Sequence, residues 1–91
     1  MGSVQPWRLV FAKQAQKDAV KIAGAGLRSK TESLLATLAA NPYQNPPPFE
    51  KLRGDLAGAF SRRINVQHRL VYHAFDAERI VHILRMWTHY E

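Results

Sequence analysis

Cysteine is absent from the 91 residues, which excludes disulfides and thiolate chemistry and agrees with a reducing compartment. Long apolar runs are missing as well. Nothing approaches the roughly 20 residues needed to span a bilayer, and Met1 to Pro6 has neither the basic start nor the apolar stretch of a secretory leader. Acidic residues are scarce, seven against thirteen Lys and Arg, so the chain carries +6 with a pI near 10.2. Such a surface attracts a polyanion or an acidic protein. No two histidines stand at metal-ligand spacing from a carboxylate, so neither a metal site nor any other cofactor is expected. Repeats and low-complexity tracts are missing beyond three consecutive prolines. What remains has 46% hydrophobic and 22% charged residues, the balance of a folding chain rather than a disordered one. Its length suits one domain spanning residues 1–91. The expected location is cytoplasmic, with no membrane partner.

The hydrophobic spacing then divides the chain. Trp7-Arg8-Leu9-Val10-Phe11 alternates with Trp7, Leu9 and Phe11 on one face, and predicts an opening strand. From Ala12 the period becomes helical: Ala15, Ala19, Ile22 and Ala23 form one stripe and Lys13, Lys17 and Lys21 another, with an end near Gly24 and Gly26. Leu27, Thr31, Leu34, Leu35 and Leu38 predict a second helix, stopped by Asn41-Pro42. Asn45-Pro46-Pro47-Pro48 predicts a stiff, extended connector that delivers Phe49 and Glu50. Four strands are expected after it, over Glu50 to Arg53, Ala59 to Val66, His68 to Phe75 and Arg79 to Trp87, forming an antiparallel meander.

Alternation also sorts the polar residues of these strands. Ser61, Arg63 and Asn65 share one face. Phe60, Arg62, Ile64 and Val66 share the other, where Arg62 is the odd member, expected at the edge or simply solvated. Arg63 is the better candidate for holding a phosphate. Arg69 opens a strand with apolar groups on both sides, the pattern of a central, covered strand, and an arginine there is expected to be paired or functional. His68, His73 and His82 are read as surface or hydrogen-bonded side chains. In the last strand Val81, Ile83, Arg85, Trp87 and His89 alternate against Ile80, His82, Leu84, Met86 and Tyr90.

A carboxylate (Glu50), several guanidiniums and a terminal imidazole next to a phenol (His89-Tyr90) are the groups that cleave RNA. The carboxylate takes the proton of the ribose 2′-OH, the imidazolium protonates the departing 5′-oxygen, and arginines stabilise the charge added on phosphorus.

Phe49-Glu50-Lys51-Leu52, Leu56-Ala57-Gly58, Phe60-Ser61-Arg62-Arg63-Ile64, His68-Arg69-Leu70-Val71-Tyr72 and the ending His89-Tyr90, in this order and spacing, resemble the YoeB/Txe toxins of bacterial toxin-antitoxin modules, within the RelE-like superfamily. The resemblance implies an α+β fold like that of microbial ribonucleases, with an N-terminal strand and two helices packed on a mostly antiparallel sheet. It implies ribosome-dependent cleavage of messenger RNA in the A site, without metal, restrained by a cognate YefM- or Axe-like antitoxin. Relatives are often dimers. By position, Glu50 matches the general base, Arg69 the phosphate ligand, His89 the general acid and Tyr90 the terminal tyrosine that orients substrate. Arg53, Arg63 and Lys51 fall at or beside auxiliary basic positions that contact RNA. Lys51 stands where relatives often have proline, Phe60 where tryptophan is common, and Glu91 extends past the usual terminal tyrosine. Two other readings of the same residues are a non-catalytic gyrase inhibitor like the ParE toxins and a basic RNA-binding module, since fold alone does not decide function.

Overall fold

The computed structural model describes residues 6–87, so His89 and Tyr90 lie outside the described residues. Within these limits the alternating and helical patterns become β1 (Arg8–Phe11), α1 (Lys13–Gly24), α2 (Arg28–Ala40), β2 (Glu50–Lys51), β3 (Phe60–Arg63), β4 (Arg69–Phe75) and β5 (Ile80–Arg85). The strands form one sheet in the order β1-β5-β4-β3-β2. From β2 to β5 it is the expected antiparallel meander, and β1 closes the far edge by pairing parallel with β5. The two helices cover one face of the sheet, the expected α+β architecture. Among the described residues no helix is long and apolar enough to cross a membrane.

The helix-facing side of the sheet is the apolar half of each alternation. Leu9 pairs with Val81 and Phe11 with Ile83, which in turn lies opposite Tyr72. These residues meet Ala15 and Ile22 of α1 and Leu34 and Leu38 of α2 in one core. The turn between the helices follows from Gly26, whose φ of +76° is open to glycine at little cost. Its N–H donates to the Ala23 carbonyl, and that of Leu27 donates to Ile22. This Schellman arrangement satisfies the end of α1 and starts α2 within two residues.

Several expectations need correction. The second strand stops at Lys51, where a short 3-10 turn over Gly54–Leu56 takes over. The covered face of α1 is Ala15, Asp18 and Ile22, while Ala19 and Ala23 are exposed. The central strand β4 is covered on its helix side, but the opposite side opens to solvent toward its end, with Phe75 exposed and His73 half-buried. The last strand ends at Arg85, and just before that end a bulge makes Val71 pair with Arg85 while Tyr72 pairs with Ile83. The extra residue, Leu84, breaks the alternation. Met86 therefore joins Val81 and Ile83 in the core instead of facing away from them.

Asp18 explains how the chain leaves this bulge. Its side chain is 0% exposed and collects donors from both sides. Gln14 Nε2 donates to Oδ1 at 3.1 Å; Arg85 Nε and the backbone N–H groups of Met86 and Trp87 donate to Oδ2 at 2.9, 3.0 and 3.3 Å. Burial by itself would raise the carboxyl pKa. The bonds from the Met86 N–H, Arg85 and Gln14, together with the Arg85 charge, outweigh it and hold the group below its ordinary value. A depressed folded-state pKa gives stability that is present above the unfolded value, near 3.9, and lost as pH falls through the folded one. Replacing Asp18 by Ala should cost about 1–3 kcal/mol, since it leaves the buried Met86 N–H without its acceptor, while Arg85, partly exposed, can turn to water. Urea titrations should show this at pH 7. Below about pH 4, Asp18→Asn should flatten the decline in stability relative to the parent. Equal slopes would show that Asp18 does not control it.

Candidate active site

The register of β2, β3 and β4 assembles a polar cleft on the face away from the helices. Glu50 pairs with Ser61, and Arg63 pairs with Arg69. Side chains directly opposite in a sheet share a face, so these four meet. They line a cleft of about 360 Å³ with Pro48 as its remaining wall. That size lies at the lower end of small-ligand pockets, roughly 300 to 1,000 Å³, suited to a segment of extended chain rather than a folded partner.

Charge in the cleft is unbalanced. Arg63 and Arg69 face each other across the strand pair, an arrangement that disfavours the empty sheet by a few tenths to about 1 kcal/mol. Arg69 relieves part of this by an ion pair from its Nη1 to Glu50 Oε1, and the same nitrogen lies 3.4 Å from Ser61 Oγ. Arg63 is exposed. Two guanidiniums against one carboxylate leave a concave site that favours an anion. The side chain of Glu50 is 65% exposed and that of Arg69 only 19%, so the acceptor is open to an incoming ligand while the cation is held against the sheet.

The other sequence-selected residues are distributed as follows. Lys51 is exposed and alternates away from Glu50, pairing with Phe60, and Arg53 is exposed beyond the end of β2. Neither lines the cleft. His73 and His82 are opposite one another on β4 and β5, away from it. His68 is buried rather than on the surface, and its ring stacks on Trp87 with centroids 3.8 Å apart at 18°. The chain thus passes its last described residue beside the start of β4, next in sequence to Arg69. Among the described residues no three His, Asp or Glu side chains converge as a metal site would require.

Arg62 is the largest departure from expectation. It is neither solvated nor at an edge, being 1% exposed. Its Nη1 donates to the Pro47 carbonyl at 2.6 Å, and its Nη2 donates to the carbonyls of Pro42 and Gln44 at 2.9 and 2.8 Å. Its Nε donates to Tyr72 Oη at 3.1 Å, and that hydroxyl donates onward to Pro42 O at 2.8 Å. Burial raises the Tyr72 pKa against the opposing effect of Arg62, which keeps the phenol protonated as this relay requires. Because carbonyls from residues 42, 44 and 47 converge on one guanidinium, the proline-rich connector is curled over the sheet and not extended. Ser61 and Pro48, also absent from the expected site, were foreshadowed only by Ser61 sharing an alternation with Arg63.

A helical layer on a five-stranded sheet, with a cationic cleft on the open face, is an architecture shared with RelE-like toxins. The sequence matches, over residues 9–90, the family described as YoeB-like toxin of bacterial type II toxin-antitoxin system. It is 33% identical to the toxin YoeB of Streptomyces coelicolor over 76 residues, covering 81% of this chain and 90% of that protein. The structure is similar to the YoeB/ParE toxin from Agrobacterium tumefaciens, with a TM-score of 0.82 at 27% identity, covering 91% and 99% of the two chains. It is also similar to the toxin of the Staphylococcus aureus YoeB-YefM complex, with a TM-score of 0.77 at 31% identity, covering 92% and 98%. The chain belongs to the YoeB family of toxins of toxin-antitoxin systems.

An ion pair this exposed on one side adds little to folding, a median of about 0–1 kcal/mol. Glu50→Gln is therefore expected to shift the urea midpoint by less than the equivalent of about 1 kcal/mol. A larger loss would make the Glu50–Arg69 pair a structural element of the fold.

Proposed function

We propose that this toxin, acting as a single domain over residues 1–91, is a ribosome-dependent endoribonuclease that cuts messenger RNA in the A site and so stops translation in the cytoplasm. The observation that carries the proposal is the meeting of Glu50, Arg63 and Arg69 in one cleft on the open face of the sheet. A phosphodiester entering there would take Arg69 from Glu50 by offering it a second anion. The released carboxylate is then the base for the 2′-OH. Arg69 and Arg63, opposite one another in the cleft, stabilise the extra negative charge on phosphorus.

The acid in this scheme is His89, which protonates the 5′-oxygen as the P–O bond breaks, with Tyr90 orienting the substrate. His89 follows Trp87 by two residues, about 7 Å of extended chain. Trp87 is anchored on His68, beside Arg69. That anchor supports the assignment by ending the described chain beside the start of the strand that carries Arg69. Lys51 and Arg53, outside the cleft, are proposed to contact the RNA or ribosome backbone. The nucleophile belongs to the substrate, so the scheme calls for no metal or cofactor and does not cut DNA.

The physiological partner in this reading is an antitoxin of the YefM or Axe kind. The support is that the Staphylococcus aureus YoeB relative was solved with YefM. That organism's YoeB was also solved as a dimer, and self-association of the present chain is proposed on the same basis. A net charge of +6 gives an acidic antitoxin a fast encounter that slows with salt.

Purified toxin on programmed ribosomes in EDTA should leave 2′,3′-cyclic phosphate or 3′-phosphate ends. Loss of cutting on chelation, or 5′-phosphate ends, would contradict the mechanism. His89→Ala and Arg69→Ala should each lower single-turnover cleavage by about 10²-fold or more, with His82→Ala as an unaffected control. A folded His89→Ala protein that cuts at the parent rate would remove the assigned acid. Saturating antitoxin should abolish cleavage, and stopped-flow association should slow as ionic strength rises.

A further inference from the structure

Asp18 and Arg62 are the two fully buried charged side chains among the described residues, and only Asp18 has an oppositely charged partner. Arg62 is instead surrounded by backbone carbonyls, and all three belong to the connector between α2 and β2. An apolar side chain could fill the same volume without desolvating a cation, so packing does not explain an arginine here. The chemistry of the connector does. Pro42, Pro46, Pro47 and Pro48 bring carbonyl acceptors but no N–H donors; within the segment Gln44 serves the carbonyls of Asn41 and Pro46, and those of Pro42, Gln44 and Pro47 take their donor from Arg62. A guanidinium supplies five donors in a fixed plane and closes that deficit from below.

We propose that Arg62 is a positioning residue for Glu50: it holds the connector against β3 and so fixes where the carboxylate enters the cleft. The path is continuous. The Arg62 Cζ lies 4.8 Å from the Phe49 ring centroid, immediately before Glu50, and Phe49 packs edge-on against Phe60 at 5.5 Å. Pro48, one residue beyond the bonded Pro47 carbonyl, is a wall of the cleft. β2 itself has only two residues, paired on one side with β3, too short a ladder to hold Glu50 by itself. Arg63 and Arg69 sit on β3 and β4, which pair with each other over four residues, and do not need the connector. Arg62 thus acts on the carboxylate and not on the cations. This role rests on the proposed use of Glu50 as the base.

The test is a double-mutant cycle between Arg62→Lys and Glu50→Gln, read by single-turnover cleavage on programmed ribosomes at varied toxin concentration. Lysine keeps the charge but cannot reach three carbonyls in a plane. Arg62→Lys should lower the cleavage rate constant by about tenfold or more and leave the half-saturating concentration within about twofold. In the Glu50→Gln background the same change should cost less than about twofold, because a residue acting through Glu50 has nothing left to act on. Hydrogen exchange should quicken across residues 43–52 and stay unchanged in β4. Should Arg62→Lys fold poorly, Tyr72→Phe removes one partner of the guanidinium and is expected to show the same pattern at smaller size. Losses that multiply independently of Glu50, or a connector whose exchange does not change, overturn the positioning role and leave Glu50 as the base. A Glu50→Gln protein that cleaves like the parent instead overturns the catalytic reading, and the positioning role with it.

Discussion

A guanidinium inside a protein must find replacements for the water it has lost, and Arg62 finds them in three carbonyls and a phenol that it draws together from distant parts of the chain. Much of the site depends on this. The bonds to Pro42, Gln44 and Pro47 turn the end of α2 and the proline-rich connector into a lid over β3 and β4, and they close an aromatic cluster in which Trp7, Tyr43, Phe60, Phe49 and Tyr72 touch edge to face or tilted. The Tyr43 hydroxyl ties the same connector to the β4–β5 turn by donating to Asp76 at 2.7 Å. Burial and that bond push its pKa to about 12, so the tie persists at any physiological pH.

The second constraint is the register of the β2–β3 and β3–β4 pairs. Once Glu50 is opposite Ser61 and Arg63 opposite Arg69, all four side chains are committed to one face, and a slip of one residue would turn them into the core. The repulsion between the facing arginines is tolerated because the opposite face of the same strands buries Leu70 and Tyr72 completely. Core burial thus holds two like charges together in the cleft, where an anion is needed to relieve them.

The exit of the chain follows a parallel logic with the sign reversed. Asp18 gathers the N–H groups of Met86 and Trp87 and the Arg85 side chain just after the β5 bulge, where the sheet ladder no longer satisfies them. His68 then receives Trp87 as a stacking partner. One buried cation secures the segment before Glu50, and one buried anion secures the segment that leads toward His89.

The order of strands and helices, the stop at Asn41-Pro42, the meander and the sharing of a face by Ser61 and Arg63 were legible in the sequence, because side-chain period and proline geometry are local properties. The ordered blocks from Phe49 to Tyr72 that resemble YoeB toxins also singled out Glu50, Arg63 and Arg69, which the register gathers in one cleft. Lys51 and Arg53 were grouped with Glu50 through the resemblance, whereas alternation and the end of β2 separate them from the cleft. The tertiary structure alone decided the places of Asp18, Arg62, His68 and Met86. Arg62 and Met86 were misplaced by a rule that sorts residues by polarity and period, and the same rule says nothing of the partners that Asp18 and His68 find. A buried charge is stable only when donors or acceptors from remote segments converge on it, and a bulge shifts faces without any mark in the local pattern. Both depend on how distant pieces meet, and no window along the chain contains that information.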